Sequence, residues 1–204
     1  MKLFLASEAK HPTSMAKLAE FVGGFKDKKI AYIPTAANGE CYGSWKKGGS
    51  VRTVRGLDAN INIIELEEYS YRDIISEISG ADIMLVAGGM PGYLLYWMRR
   101  TKLDIVITEI LNKGTIYVGS SAGSMACSKT QNVNEIYIGE EGPGASIIPG
   151  LGLIDFEIYP HYEDRLLEDI KKSWRFGKLA LLKISEAVIV DGNNISIFGE
   201  ERWL

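Results

Sequence analysis

The chain has 204 residues, 46% hydrophobic and 24% charged, with a formal net charge of −3. That length suits one domain, residues 1–204, with a sizeable core. There is no basic stripe or basic-aromatic platform for nucleic acid, and no apolar run approaches the ~20 residues of a membrane span. The two cysteines, Cys41 and Cys127, are too few for a disulfide framework. The opening apolar stretch is too short for a signal peptide, so a cytoplasmic protein is expected.

In chain order, strands are expected at Leu3 to Ala6, Ile30 to Pro34, Ile61 to Leu66, Ile83 to Ala87 and Ile116 to Val118. Most are continuous apolar runs, as in parallel strands buried on both faces. Helical periods lie between them. One stripe is Met15, Leu18, Val22 and Phe25; another is Leu103, Val106, Ile107, Ile110 and Leu111. Pro91 marks a helix start. Lys26 to Lys29 reads as a solvated loop before a strand. Residues 128 to 152 are rich in Gly, Asn, Pro and Ser, with a short apolar run at Ile136 to Ile138. A strand-like run then leads to His161. A helix follows on Leu166, Leu167, Ile170 and Trp174, and then come strands at Leu179 to Leu182, Ala187 to Val190 and Ile195 to Phe198. The Asp191-Gly192-Asn193-Asn194 turn predicts a hairpin. Alternating strand and helix implies an α/β fold, a doubly wound, mostly parallel sheet flanked by helices.

The most informative motif is Gly119-Ser120-Ser121-Ala122-Gly123, directly after the strand-like Thr115-Ile116-Tyr117-Val118. This G-x-S-x-G pattern presents its central serine on a sharp strand-to-helix turn, where a nucleophile is accessible. Ligands of such sheets bind at the carboxyl ends of the strands. Both this elbow and the Gly88-Gly89 turn are expected on that edge.

A serine nucleophile needs a base, usually histidine. The chain has two, His11 and His161. His161 is preferred because it follows a strand downstream of the elbow, amid aromatics and acids. Its orienting carboxylate could be Glu163, Glu186 or Glu135; spacing does not choose among them. Asp155 and Glu157 flank a strand and read as solvent-facing. The backbone N–H of Ala122 and a donor from Gly88-Gly89 could form an oxyanion hole. Tyr93, Trp97, Arg99 and Arg100 read as a solvated helix face, and Cys127 as a buried small residue. No metal-ligand spacing, dinucleotide fingerprint or P-loop is present, so neither metal nor cofactor is expected.

Three segments together resemble the peptidase E (aspartyl dipeptidase) family, relatives of cyanophycinase on a class I glutamine-amidotransferase-like, flavodoxin-like three-layer fold. They are Ala87-Gly88-Gly89 with Tyr93-Leu94-Leu95, the elbow through Ser124, and Tyr159-Pro160-His161-Tyr162. The resemblance implies a serine peptidase with Ser121 as nucleophile, His161 as base and Glu186 as the acid. Glu163 and Glu135 remain rivals. Gly89 and Ala122 are expected to form the oxyanion hole, with Gly88 and Met90 at the substrate. The expected partner is a small peptide, the assembly a monomer or homodimer. The chain departs from the family where Met90-Pro91 replace Asn-Thr, and in a shorter segment between His161 and Glu186. Both changes border the expected pocket and bear on side-chain preference. An esterase or amidase on the same machinery, or a ligand-binding amidotransferase-like domain, are the alternatives; the order Ser…His…Glu differs from that of α/β-hydrolases.

Overall fold

The computed structural model describes residues 1–40, 45–137 and 148–204. Cys41 and Ile138 lie outside the described residues. A seven-stranded sheet organises the chain. Its strands are β1 (Lys2–Ala6), β2 (Lys29–Ile33), β3 (Asn60–Ile63), β4 (Ile83–Val86), β5 (Ile116–Ser120), β8 (Ala187–Asp191) and β9 (Asn194–Phe198), in the order β3-β2-β4-β5-β1-β8-β9. The first five are mutually parallel. β8 runs antiparallel to β1, and β9 antiparallel to β8. The last two strands form the hairpin predicted from Gly192 and Asn193; Asp191 pairs with Asn194, and Gly192 has φ 61°.

The apolar runs are strands because both sheet faces are covered. Along β1, Leu3 and Leu5 enter one core while Phe4 and Ala6 enter the other. β4 alternates in the same way, with Met84 and Val86 against Ile83 and Leu85. Helices α1 (Pro12–Val22) and α2 (Gly49–Arg55) cover one face through Leu18, Val22, Val51 and Val54. Helices α3 (Tyr71–Ile78), α4 (Pro91–Arg100) and α5 (Leu103–Asn112) cover the other, through residues such as Ile74, Leu94, Met98, Leu103 and Ile107. This is a three-layer α/β sandwich. Each fully buried side chain of this size contributes about 1.5–3 kcal/mol.

One expectation is corrected here. The predicted strand through Leu66 stops at Ile63, and Leu66 opens a 3-10 turn instead. The Leu66 N–H donates to Thr35 Oγ1 at 2.9 Å, which draws the chain away from the sheet. The strand before His161 does not join the main sheet. β6 (Glu157–Tyr159) pairs in parallel with β7 (Leu179–Leu181) as a separate two-stranded sheet. β8 already occupies the free side of β1. The small sheet has its own apolar cluster, including Met125, Val133, Tyr159, Ile170 and Trp174. Ile170 comes from α7 (Leu167–Ser173), the helix predicted there.

Candidate active site

β5 ends at Ser120 and α6 (Ala122–Met125) starts two residues later. Ser121 between them has φ 48° and ψ −108°. Such a conformation costs a non-glycine residue about 1–3 kcal/mol and persists where the surroundings over-determine it. Here the Ser121 N–H donates to Ala6 O at 3.0 Å, and Ser121 O accepts from Ser124 N and Met125 N at 2.8 and 2.9 Å. Ser124 Oγ also donates to Ala6 O, at 2.7 Å. The two motif glycines permit close approach. A Cβ on Gly119 would lie 2.7 Å from the Gly123 backbone, and one on Gly123 would lie 2.4 Å from Val86 O. The motif is thus a tight crossing of β5, β4 and α6 in which the Ser121 side chain takes no part.

His161 enters from the turn after β6. Its Nε2 lies 3.1 Å from Ser121 Oγ, forty residues away in sequence. Its backbone is also in the left-handed region, at φ 53°, and its N–H donates to Ser7 Oγ at 2.8 Å. Ser121 and His161 open into one cavity of about 440 Å³, also lined by Gly88, Gly89, Met90 and Glu8. Burial pushes the His161 imidazole below its ordinary value; the Glu8 carboxylate opposes this and the Lys10 ammonium adds to it. The neutral imidazole is the one that can accept a proton. Activity that needs it should therefore rise with pH through a midpoint below the ordinary ~6.5. A pH profile of kcat/KM checks this. The unfolded chain takes up this proton at the higher value. Stability from the buried neutral ring is therefore present above pH ~6.5 and declines as pH falls toward the lower folded value.

Gly88 passes directly under the serine: its Cβ, if present, would sit 3.3 Å from Ser121 Cβ. Gly89 has φ 139°, and a Cβ there would lie 2.2 Å from the Ala36 backbone. This turn therefore requires glycine. The Ala122 N–H begins α6 and has no partner within the helix. The Met90 N–H is taken by Ala36 O at 2.9 Å, so Met90 offers the cavity its side chain rather than that donor.

The acids fall out differently from expectation. The Glu186 carboxylate accepts from the Lys183 N–H at 2.8 Å, the Glu200 N–H at 3.1 Å and Arg202 Nη1 at 2.7 Å. It is buried and fastens the segment after β9 to the start of β8; it makes no hydrogen bond to His161. Glu163 is exposed and paired with Arg165, and Glu135 is exposed. Among the described residues, no hydrogen bond reaches His161 Nδ1. Glu186→Gln should therefore act chiefly on stability. Removing one partner of a buried ion pair costs about 3–5 kcal/mol, while a carboxylate that orients the imidazole directly is worth about 10⁴ in kcat. Denaturant titration should show the former, with kcat lowered less than ~10-fold, well short of such an orienting role.

Glu157 is not solvent-facing. It is buried and accepts from Thr130 Oγ1, Asn132 Nδ2 and the Val133 N–H at 2.7–2.9 Å. Asp155 is exposed, as expected. The α4 face is less solvated than predicted. Trp97 packs on the core, Tyr93 lies against Gly39, and Arg99 donates to Leu95 O and to the Pro149 and Gly150 carbonyls. His11 caps α1, its Nδ1 accepting from Thr13 N at 3.3 Å. Cys127 is buried and its thiol is pushed up to about 12, which leaves it inert. Ser7, Glu8 and Lys10 were missed by motif reasoning. Their signal was positional: Ala6 pairs with Ser120, so residues just past β1 must border the elbow.

The protein-family model for "Peptidase family S51" matches residues 3–198. The chain belongs to peptidase family S51. This S51 member is a peptidase of the serine class. It is 25% identical over 199 residues to an uncharacterized peptidase of Listeria monocytogenes, covering 95% of this chain and 96% of that one. It is 33% identical over 146 residues to peptidase E of Nostoc sp., covering 71% of this chain and 56% of the Nostoc protein. A crystal structure of a peptidase E candidate from L. monocytogenes EGD-e superposes with a TM-score of 0.83 at 22% identity, over 97% of both chains. A peptidase from an acI-B1 actinobacterium gives 0.70 at 18% identity, over 100% of this chain and 93% of that one. Those two likenesses show the fold. Among the described residues, no helix is long and apolar enough to cross a membrane.

Proposed function

We propose that this S51 peptidase hydrolyses small peptides through an acyl-enzyme, with Ser121 as nucleophile and His161 as general base. The observation that carries the reading is the 3.1 Å approach of His161 Nε2 to the Oγ of a serine held on a strained elbow. Ser121 Oγ attacks the scissile carbonyl as His161 Nε2 takes its proton. The Ala122 N–H and the Gly89 backbone face the developing oxyanion. Collapse breaks the C–N bond, and His161 returns the proton to the leaving amine. Water, activated by His161, then attacks the ester carbonyl; the acid product leaves and the Ser121 hydroxyl is restored.

The third member of the group is not Glu186 in this reading, because its oxygens are engaged elsewhere. Glu8 is the carboxylate whose charge acts on His161. The cavity of about 440 Å³ favours a short substrate, since small-ligand sites run from roughly 300 to 1,000 Å³. Gly88 and Met90 line it, and Met90 stands where the resemblance leads one to expect asparagine. An apolar thioether there favours an apolar side chain over an acidic one.

The test is a panel of dipeptides with varied first residue, run beside simple esters on wild-type protein and Ser121→Ala. Peptide turnover that vanishes in the variant supports the reading. Ester turnover alone would move it to an esterase on the same residues.

A further inference from the structure

Ser121 and His161 belong to different sheets. Ser121 sits at the end of β5 in the seven-stranded sheet, and His161 follows β6 in the two-stranded one. Their 3.1 Å approach therefore depends on how the small sheet is tied to the large one at this point. Ser7 is placed to make that tie. It is fully buried and immediately follows β1, between β5 and β8 in the sheet. Its N–H donates to Glu186 O at 2.9 Å, and its Oγ accepts the His161 N–H at 2.8 Å. Two residues on, the Ala9 N–H donates to Ser120 Oγ at 3.0 Å. The segment from Ser7 to Ala9 thus holds the residue before the nucleophile and the backbone of the base against one reference.

The backbone held is a strained one. His161 has φ 53°, which β-carbon sterics disfavour for any residue other than glycine. On one side of it Pro160 fixes the chain; on the other the Tyr162 N–H donates to Leu182 O at 2.9 Å. The His161 N–H, held by Ser7 Oγ, is a further point of control.

We propose that Ser7 is a positioning residue for the reaction: its hydroxyl locks the strained His161 backbone and so sets the imidazole against Ser121. The inference rests on the reading of Ser121 and His161 as the reacting pair. The hydrogen bonds of Ser7 go to the Glu186 carbonyl and the His161 N–H, so its hydroxyl acts on the imidazole through the His161 backbone. Without the hydroxyl, the His161 N–H loses its acceptor and the turn is free to relax toward a commoner conformation. Displacements of about 1 Å in such sites cost on the order of 10²-fold in rate.

The experiment compares wild type and Ser7→Ala for peptide kcat and KM, for the rate of fluorophosphonate labelling and for melting temperature. The expected result is a fall in kcat and in labelling rate of about 10- to 100-fold with KM little changed. In a His161→Ala background, Ser7→Ala should cause no further loss of labelling rate, because the group it positions is gone. Should Ser7→Ala fail to fold, Ser7→Cys keeps the size and weakens the acceptor, and it should show the same loss. Wild-type kcat in the folded variant, or the same fold loss with His161 absent, would overturn the proposal. Mapping the label in wild type separates this from the parent reading. Label away from Ser121 defeats the parent reading, whereas label on Ser121 with Ser7→Ala fully active defeats only this inference.

Discussion

Ser121→Ala is expected to lower peptide kcat by about 10⁴- to 10⁶-fold while leaving the fold intact. The size follows from what is removed. In the proposed mechanism the Oγ is the atom that bonds to the acyl group, and no other hydroxyl in the elbow can replace it. Ser120 Oγ accepts from the Ala9 N–H, and Ser124 Oγ donates to Ala6 O, so both are committed to structure. The fold should survive because the bonds that hold the elbow run through backbone atoms of residue 121, which alanine retains. Alanine meets the same strain at φ 48° as serine does. Matched thermal melts with lost turnover would confirm the pairing of effects; a variant with more than a few per cent of wild-type kcat would refute it.

His161→Ala has the second-largest expected effect, a loss of about 10⁴- to 10⁶-fold in kcat at neutral pH. No other imidazole can take over, since His11 serves as the cap of α1. The two losses should not add. Residues that act as one unit cost together about what either costs alone, so the double variant with Ser121→Ala should match the single ones. Steady-state rates on one peptide for the three variants test this. Multiplicative losses would mean that the two side chains work independently, contrary to their 3.1 Å contact.

Much of the sheet was legible because burial on both faces demands continuous apolar runs, and β1, β2, β4 and β5 are such runs. The edge strand β3 ends at Ile63, but Ile64 and Leu66 beyond it are fully buried in the core, so the apolar signal ran past the strand's true end. The elbow was legible for a steric reason: Gly119 and Gly123 meet other backbone too closely for any side chain. His161 was legible because of how few histidines the chain has.

Glu186 shows where legibility ended. Spacing left three carboxylates open, and only the resemblance to peptidase E placed the triad acid on Glu186. Its actual partner, Arg202, comes sixteen residues later, after β9 has returned across β8 and brought the two within 2.7 Å. Glu157 failed for the same kind of reason. It looked solvent-facing until the loop carrying Thr130, Asn132 and Val133 folded over it. Pairing at long range decides the fate of a carboxylate, and local pattern does not carry it. Ser7 gave no motif at all. Its role comes from the meeting of two sheets, and the separation of β6 from the main sheet was itself not foreseen.

In the proposed mechanism Ser121 Oγ, activated by His161, is the nucleophile that becomes the ester oxygen of the acyl-enzyme. The most direct measurement treats folded protein with a fluorophosphonate at pH 8, digests it and maps the adduct by mass spectrometry. A single adduct on Ser121 is expected, formed at a rate that collapses in His161→Ala. An adduct on another serine, or none on protein that is hydrolysing peptides, would contradict that mechanism.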